Sequence, residues 1–144
     1  MRPVSLLALL IFTPVVSAQV GAVVKAGGSG GQIGLDLPVG DRASVRAITS
    51  LSIDVDRDDV SGILNVAVPI RFPNGSQTAL YLGPSLTVVR YEDFAFVGAL
   101  FGVEHTLTQR ITLFGEVGVD IGIDESYVSL TTALNTGVGA VFRF

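Results

Sequence analysis

Ser129-Leu130-Thr131-Thr132-Ala133-Leu134-Asn135-Thr136-Gly137-Val138-Gly139-Ala140-Val141-Phe142-Arg143-Phe144 closes the sequence, and its alternation decides the fold class. In an extended chain Leu130, Thr132, Leu134, Thr136, Val138, Ala140, Phe142 and Phe144 share one face. Thr131, Ala133, Asn135, Gly137, Gly139, Val141 and Arg143 share the other. One face is largely apolar and the other small or polar, the period-2 pattern of a strand lying between two unlike media. Termini commonly fray into water unless something ties them down. A strand that carries phenylalanine to its last residue is expected to be paired along its whole length.

Upstream, the same alternation recurs between turn signals. Val20, Ala22, Val24 and Ala26 precede the turn Gly27-Gly28-Ser29-Gly30. Ile33, Leu35, Leu37 and Val39 precede Gly40-Asp41. Val45, Ala47, Thr49, Leu51 and Ile53 lead into an acidic loop, Asp54–Asp59. Leu64, Val66, Val68 and Ile70 run to Pro73-Asn74-Gly75, where Asn-Gly is a strong hairpin signal. Thr78–Val89, Ala95–Glu104 and Ile111–Ile121 complete the set before the final strand. Pro69 and Pro84 each remove a ladder donor, so bulges or kinks are expected there. The expected architecture is all-β, with eight strands of roughly ten residues, the length that crosses hydrocarbon at a tilt.

Composition agrees with a folded, apolar chain: 49% of residues are hydrophobic and 15% charged, too apolar for disorder. Met1–Ala18 has the form of a secretory leader: a basic start at Arg2, an apolar centre from Val4 to Phe12, and small residues at Val16-Ser17-Ala18. Pro14 and its short length argue against a membrane anchor. Cleavage after Ala18 is expected, leaving residues 19–144 as the mature domain, beginning at Gln19. The formal charge of −4, with few and scattered basic residues, argues against a nucleic-acid partner. No cysteine is present, which excludes disulfides, thiolate metal sites and a lipid-modified cysteine.

The final Phe142-Arg143-Phe144 resembles the aromatic-x-aromatic ending of small bacterial outer-membrane β-barrels of the OmpA/OmpX type. The run Leu107–Leu113 is similar to their periplasmic turns. The resemblance implies an eight-stranded antiparallel up-and-down transmembrane barrel in the outer membrane of a Gram-negative-type envelope. It implies a structural role or a minor, porin-like channel, and outer-membrane lipid as surroundings. It also implies that the barrel-assembly machinery reads Phe142 and Phe144 as an assembly signal. The face chemistry points the same way. The second face is rich in Gly34, Ala67, Gly83, Gly98, Gly102, Gly118, Gly137 and Gly139, suited to a narrow interior, whereas a soluble sandwich would place polar residues outside. The continuous apolar face would aggregate in water and suits lipid. Aromatic residues for an interfacial girdle are few: Phe72, Tyr91, Phe94, Tyr127, Phe142 and Phe144.

On this reading Lys25, Asp36, Arg46, Arg71, Glu104, Glu116, Asp120 and Arg143 point inward. Four cations face four carboxylates, as a low-dielectric lumen demands, and the expectation is an ion-pair plug in preference to a polar path. Asp54, Asp56 and Asp58 superficially match the start of a calcium loop. Asp59 replaces the required glycine and Asn65 the closing glutamate, so no metal site is expected. His105 is the single histidine and falls at a short turn, and no G-x-S-x-G motif occurs. No enzyme and no cofactor are therefore expected. A monomer is expected. The competing class is a soluble exported ligand-binding barrel of the lipocalin or streptavidin kind, which would turn its large apolar residues inward.

Overall fold

The structure, a computed structural model, describes residues 19–28, 30–54, 59–89, 94–123, 128–132 and 135–144. The leader Met1–Ala18 and residues 55–58 of the acidic tip lie outside them. Alternation and turn chemistry produce ten hydrogen-bonded segments: β1 Gly21–Gly27, β2 Gly30–Val39, β3 Ala43–Asp54, β4 Asp59–Ala67, β5 Ile70–Pro73, β6 Thr78–Val89, β7 Phe94–Thr108, β8 Ile111–Ile123, β9 Val128–Thr131 and β10 Gly137–Arg143. Every pairing is antiparallel. β10 pairs with β8 on one side and β1 on the other, so the sheet closes on itself. β4 with β5, and β9 with β10, are each one barrel strand interrupted once. The result is a closed eight-stranded up-and-down barrel.

The first interruption falls at Val68-Pro69. A bulge was expected at Pro69 and Pro84, but the pairing keeps step across it: Ala67 faces Ser85 and Ile70 faces Leu82. Val68 N–H donates to the Pro84 carbonyl at 3.0 Å, and Ser44 N–H donates to the Pro69 carbonyl at 3.2 Å. The prolines remove donors without adding a residue, so neither face inverts. The one register shift between β7 and β8 lies beside their turn, between Thr106 and Thr108.

The second interruption corrects the expectation of one unbroken strand over Ser129–Phe144. Thr131 faces Asp120 and Gly137 faces Glu116, so six steps along this strand meet four along β8. The surplus is two residues, an even number, and both halves keep the same outward face. Leu130 and Val138 are exposed, while Asn135 and Val141 are buried.

Short turns at Gly40–Arg42, Asn74–Gln77 and Gln109–Arg110 gather at the end that also holds Gln19 and Phe144. Gly40 (φ 72°) and Gly75 (φ 107°) adopt left-handed conformations that favour glycine there. Val24, Leu35, Leu82, Phe101, Val117 and Val138 are among the apolar side chains standing exposed on the outside. Charged and polar side chains fill the inside around Val23, Ile48, Tyr81, Leu100, Phe114 and Val141. The barrel is thus turned inside out relative to a soluble one.

Candidate lumen site

Direct cross-strand pairing places Asp36 on β2 opposite Arg46 on β3. Arg46 Nε donates to Asp36 Oδ1 at 3.3 Å, and the Ser44 hydroxyl donates to the same oxygen at 2.7 Å. Closure then brings in strands remote in sequence. Arg143 Nη2, on β10, donates to Asp36 Oδ2 at 3.2 Å, and Arg71 Nη2, on β5, lies 3.7 Å from that oxygen. Arg71 Nε also donates to Glu104 on β7. Asp36 therefore carries three guanidinium neighbours while being 0% exposed.

Arg46 links this group to a second one. Its Nη1 donates to Glu116 Oε2 at 3.2 Å. Lys25 Nζ donates to Glu116 Oε1 at 2.6 Å, and the Tyr81 hydroxyl donates to Glu116 Oε2 at 2.6 Å. The Arg46 guanidinium lies 4.3 Å from the centroid of the Phe114 ring and 5.6 Å from that of Tyr81, close enough for cation–π attraction. Arg46 and Tyr81 are 1% and 0% exposed, so both lie wholly in the barrel's interior. Glycines make the room: a Cβ at Gly102 would strike the Tyr81 ring, and one at Gly139 would strike the Phe114 ring.

Seven of the eight charges expected inside are joined in this way. Asp120 is placed inside but apart. Its carboxylate accepts from Asn135 Nδ2 at 2.7 and 2.8 Å and from the Ser85 hydroxyl at 3.3 Å. Neutral donors hold its oxygens, while Lys25, bonded to Glu116, acts on it through space. Asn135 is held from the other side as well, since its backbone carbonyl accepts from Lys25 Nζ at 3.1 Å.

Tyr81, Phe114, Ser44 and Asn135 were not singled out in the sequence, although alternation places each of them on the inward face. A bulky or amide side chain among glycines on that face was the available signal. His105 lies outside the lumen, exposed near the short-turn end, with Nδ1 2.9 Å from Thr78 Oγ1. Among the described residues, no three His, Asp or Glu side chains converge as a metal-binding group. Phe142 and Phe144 face outward at the seam, where Phe144 N–H donates to the Val20 carbonyl at 3.2 Å. At the short-turn end a polar vestibule of about 360 Å³ opens outward, with Arg71, Glu104 and Arg143 among its lining residues.

An antiparallel eight-stranded barrel with charges inside and apolar side chains outside has the architecture of small outer-membrane barrels. Among solved structures the chain is similar to neisserial surface protein A, with a TM-score of 0.53 over 88% of this chain and 94% of that one. The two sequences are 15% identical, so the likeness is one of fold. No family model and no curated protein matches the sequence.

Proposed function

We propose that this chain is an integral outer-membrane barrel with a structural role in the envelope, its lumen closed by the Lys25–Glu116–Arg46–Asp36 ion-pair layer. The observation that carries the reading is the reversal of polarity, with Leu82, Phe101, Val117 and Val138 outside and Asp36, Arg46 and Glu116 inside. A bilayer core rewards that arrangement because closure leaves no backbone group unpaired in lipid. The soluble ligand-binding alternative requires the opposite one. On this reading Met1–Ala18 directs export and is removed, Phe142 and Phe144 are read by the assembly machinery, and the barrel works as a monomer. Cell fractionation and heat-modifiable gel mobility test the proposal. The chain should remain with membranes until detergent is added and should migrate differently before and after boiling. Extraction in aqueous buffer alone would end it.

The channel reading draws on the vestibule, which reaches Arg71, Glu104 and Arg143 from one end. The buried Arg46–Tyr81–Glu116 layer beyond it favours a plug. Planar-bilayer recording separates the two: a plug gives no steps, whereas reproducible steps abolished by Glu116→Ala favour a pore.

A further inference from the structure

Pro73-Asn74-Gly75, the hairpin signal between β5 and β6, carries a chemistry that the barrel itself does not use. Asn74, Gly75, Ser76 and Gln77 form the connection, and all four are exposed. The loop is held at its base. Asn74 N–H donates to the Thr78 carbonyl at 2.9 Å, and the Gln77 carbonyl accepts from Thr106 N–H at 2.8 Å. Within the loop, the Gly75 N–H and the Asn74 side-chain amide have no hydrogen-bond partner among the described residues.

Asparagine is a thermolabile residue, because its short side chain brings an amide carbon within reach of neighbouring backbone groups. Two things protect it in a folded chain: a bulky side chain on the following residue, and hydrogen bonds that hold the amide. Both are missing at Asn74. Gly75 has no side chain, and a Cβ built on it would meet no atom within 4 Å, so the space around its nitrogen is open. The turn itself demands this glycine, since its φ of 107° lies in the left-handed region. The residue that shapes the turn therefore leaves its neighbour unprotected. Asn65 and Asn135 supply the contrast. They precede the β-branched Val66 and Thr136 and are 4% and 1% exposed. Their amides are engaged, Asn65 Nδ2 with Thr87 Oγ1 at 2.8 Å and Asn135 Nδ2 with Asp120 at 2.7 and 2.8 Å.

We propose that Asn74 is a site of spontaneous covalent modification, in which its side-chain amide is lost as ammonia and a carboxylate takes its place. The Gly75 nitrogen attacks Asn74 Cγ. The N–Cγ bond forms, the Cγ–Nδ2 bond breaks, and the proton shed by the Gly75 nitrogen balances the one that Nδ2 gains on leaving as ammonia. The product is a five-membered cyclic imide. Water then adds to either imide carbonyl and breaks its bond to the ring nitrogen. Opening at Cγ leaves an ordinary aspartate, and opening at the main-chain carbon leaves an isoaspartate, with the backbone rerouted through the side-chain carboxyl. The net change is ammonia out and water in, with nothing oxidised or reduced. Either product adds one negative charge beside β5, the four-residue strand that delivers Arg71 to Glu104. The site depends on the loop alone and stands whatever surrounds the outer face.

The test uses the full exported chain, folded in detergent micelles as shown by its heat-modifiable mobility, and a parallel sample unfolded in urea. Both are held in mildly alkaline buffer, and aliquots are cut after lysine and arginine. That cleavage puts the three asparagines on separate peptides, residues 58–71, 72–90 and 111–143. In the folded barrel only peptide 72–90 should gain mass, by about one dalton for each amide replaced, and it should separate into aspartate and isoaspartate forms. Its conversion should be nearly as fast as in the unfolded chain and should quicken as pH rises, because the Gly75 nitrogen must shed a proton to attack. Asn74→Gln, whose longer side chain has to close a six-membered ring, should leave the peptide unchanged. An Asn74 that stays intact in the folded barrel while converting in urea would overturn the site. So would peptides 58–71 and 111–143 converting as fast as 72–90 in the folded barrel, or an undiminished mass gain in Asn74→Gln.

Discussion

At Glu116 one carboxylate accepts from Lys25, Arg46 and Tyr81. Glu116→Ala leaves an ammonium and a guanidinium buried without a counter-charge, and breaking a buried pair in this way costs about 3–5 kcal/mol. Tyr81→Phe removes one donor from a carboxylate that keeps two others, a loss of about 1.5–3 kcal/mol for a hydrogen bond to a charged group. Urea unfolding in micelles should rank the variants wild type, Tyr81→Phe, Glu116→Ala in order of falling stability, and equal midpoints for all three would show that the layer is not cohesive. Glycine substitutions offer a sharper contrast. A Cβ at Gly102 meets the Tyr81 ring, so Gly102→Ala should destabilise by about 1–3 kcal/mol through overpacking. At outward-facing Gly115 the nearest atom to such a Cβ is Val138 Cγ1 at 3.8 Å, so Gly115→Ala should be neutral or stabilising by about 0.5–1 kcal/mol. The same substitution on opposite faces of neighbouring strands should change sign.

Among the elements, the interrupted last strand shows what alternation conveys and what it omits. Period 2 assigns Asn135, Val141 and Arg143 to one face, and the structure keeps them there. It does not reveal that the strand breaks, because a surplus of two residues leaves the alternation intact. Pairing across the barrel was hidden for a related reason. The partners Lys25 and Glu116 are 91 residues apart, and their meeting depends on every intervening register. Which residues face inward was legible; that Lys25 reaches Glu116 while Asp120 is left to Asn135 was not. Parity supplies a test. Deleting Thr132 alone turns either Leu130 or Val138 inward and should prevent assembly of a heat-modifiable barrel. Deleting Thr132 with Ala133 restores parity and should permit it. If the single deletion assembled as well as the double one, the register of β9 and β10 would not be fixed by β8. Phe142 and Phe144 belong to the same element. Phe144 is 80% exposed, so it adds little packing within the barrel, and deleting it together with Phe142→Asp should block membrane insertion while leaving export intact. Insertion at the wild-type level, measured by fractionation, would remove the assembly role from both.

For the whole molecule the deciding question is what solvent surrounds the outer face, and one side chain can report it. Val117 lies at the middle of β8 and is 54% exposed, pointing away from the lumen. Leu107 is 52% exposed beside the short turn at the end of β7. In water the two positions are equivalent, since lysine at a half-exposed site on a strand changes stability only slightly, within about 0.5 kcal/mol. In a bilayer they differ by depth: lysine costs about 2–4 kcal/mol at the midplane and about 0–1 kcal/mol near the interface. Val117→Lys should therefore lower folding stability in lipid vesicles by about 2–4 kcal/mol relative to Leu107→Lys, a gap set by the hydrocarbon and not by any protein contact. The comparison is internal, because both variants add the same charge to adjoining strands of one closed sheet. Reversible urea titration in thin-bilayer vesicles measures it. Two lysine variants of equal stability there would mean that the exposed band around Leu82, Phe101 and Val117 meets no hydrocarbon, and the envelope role would fall with it.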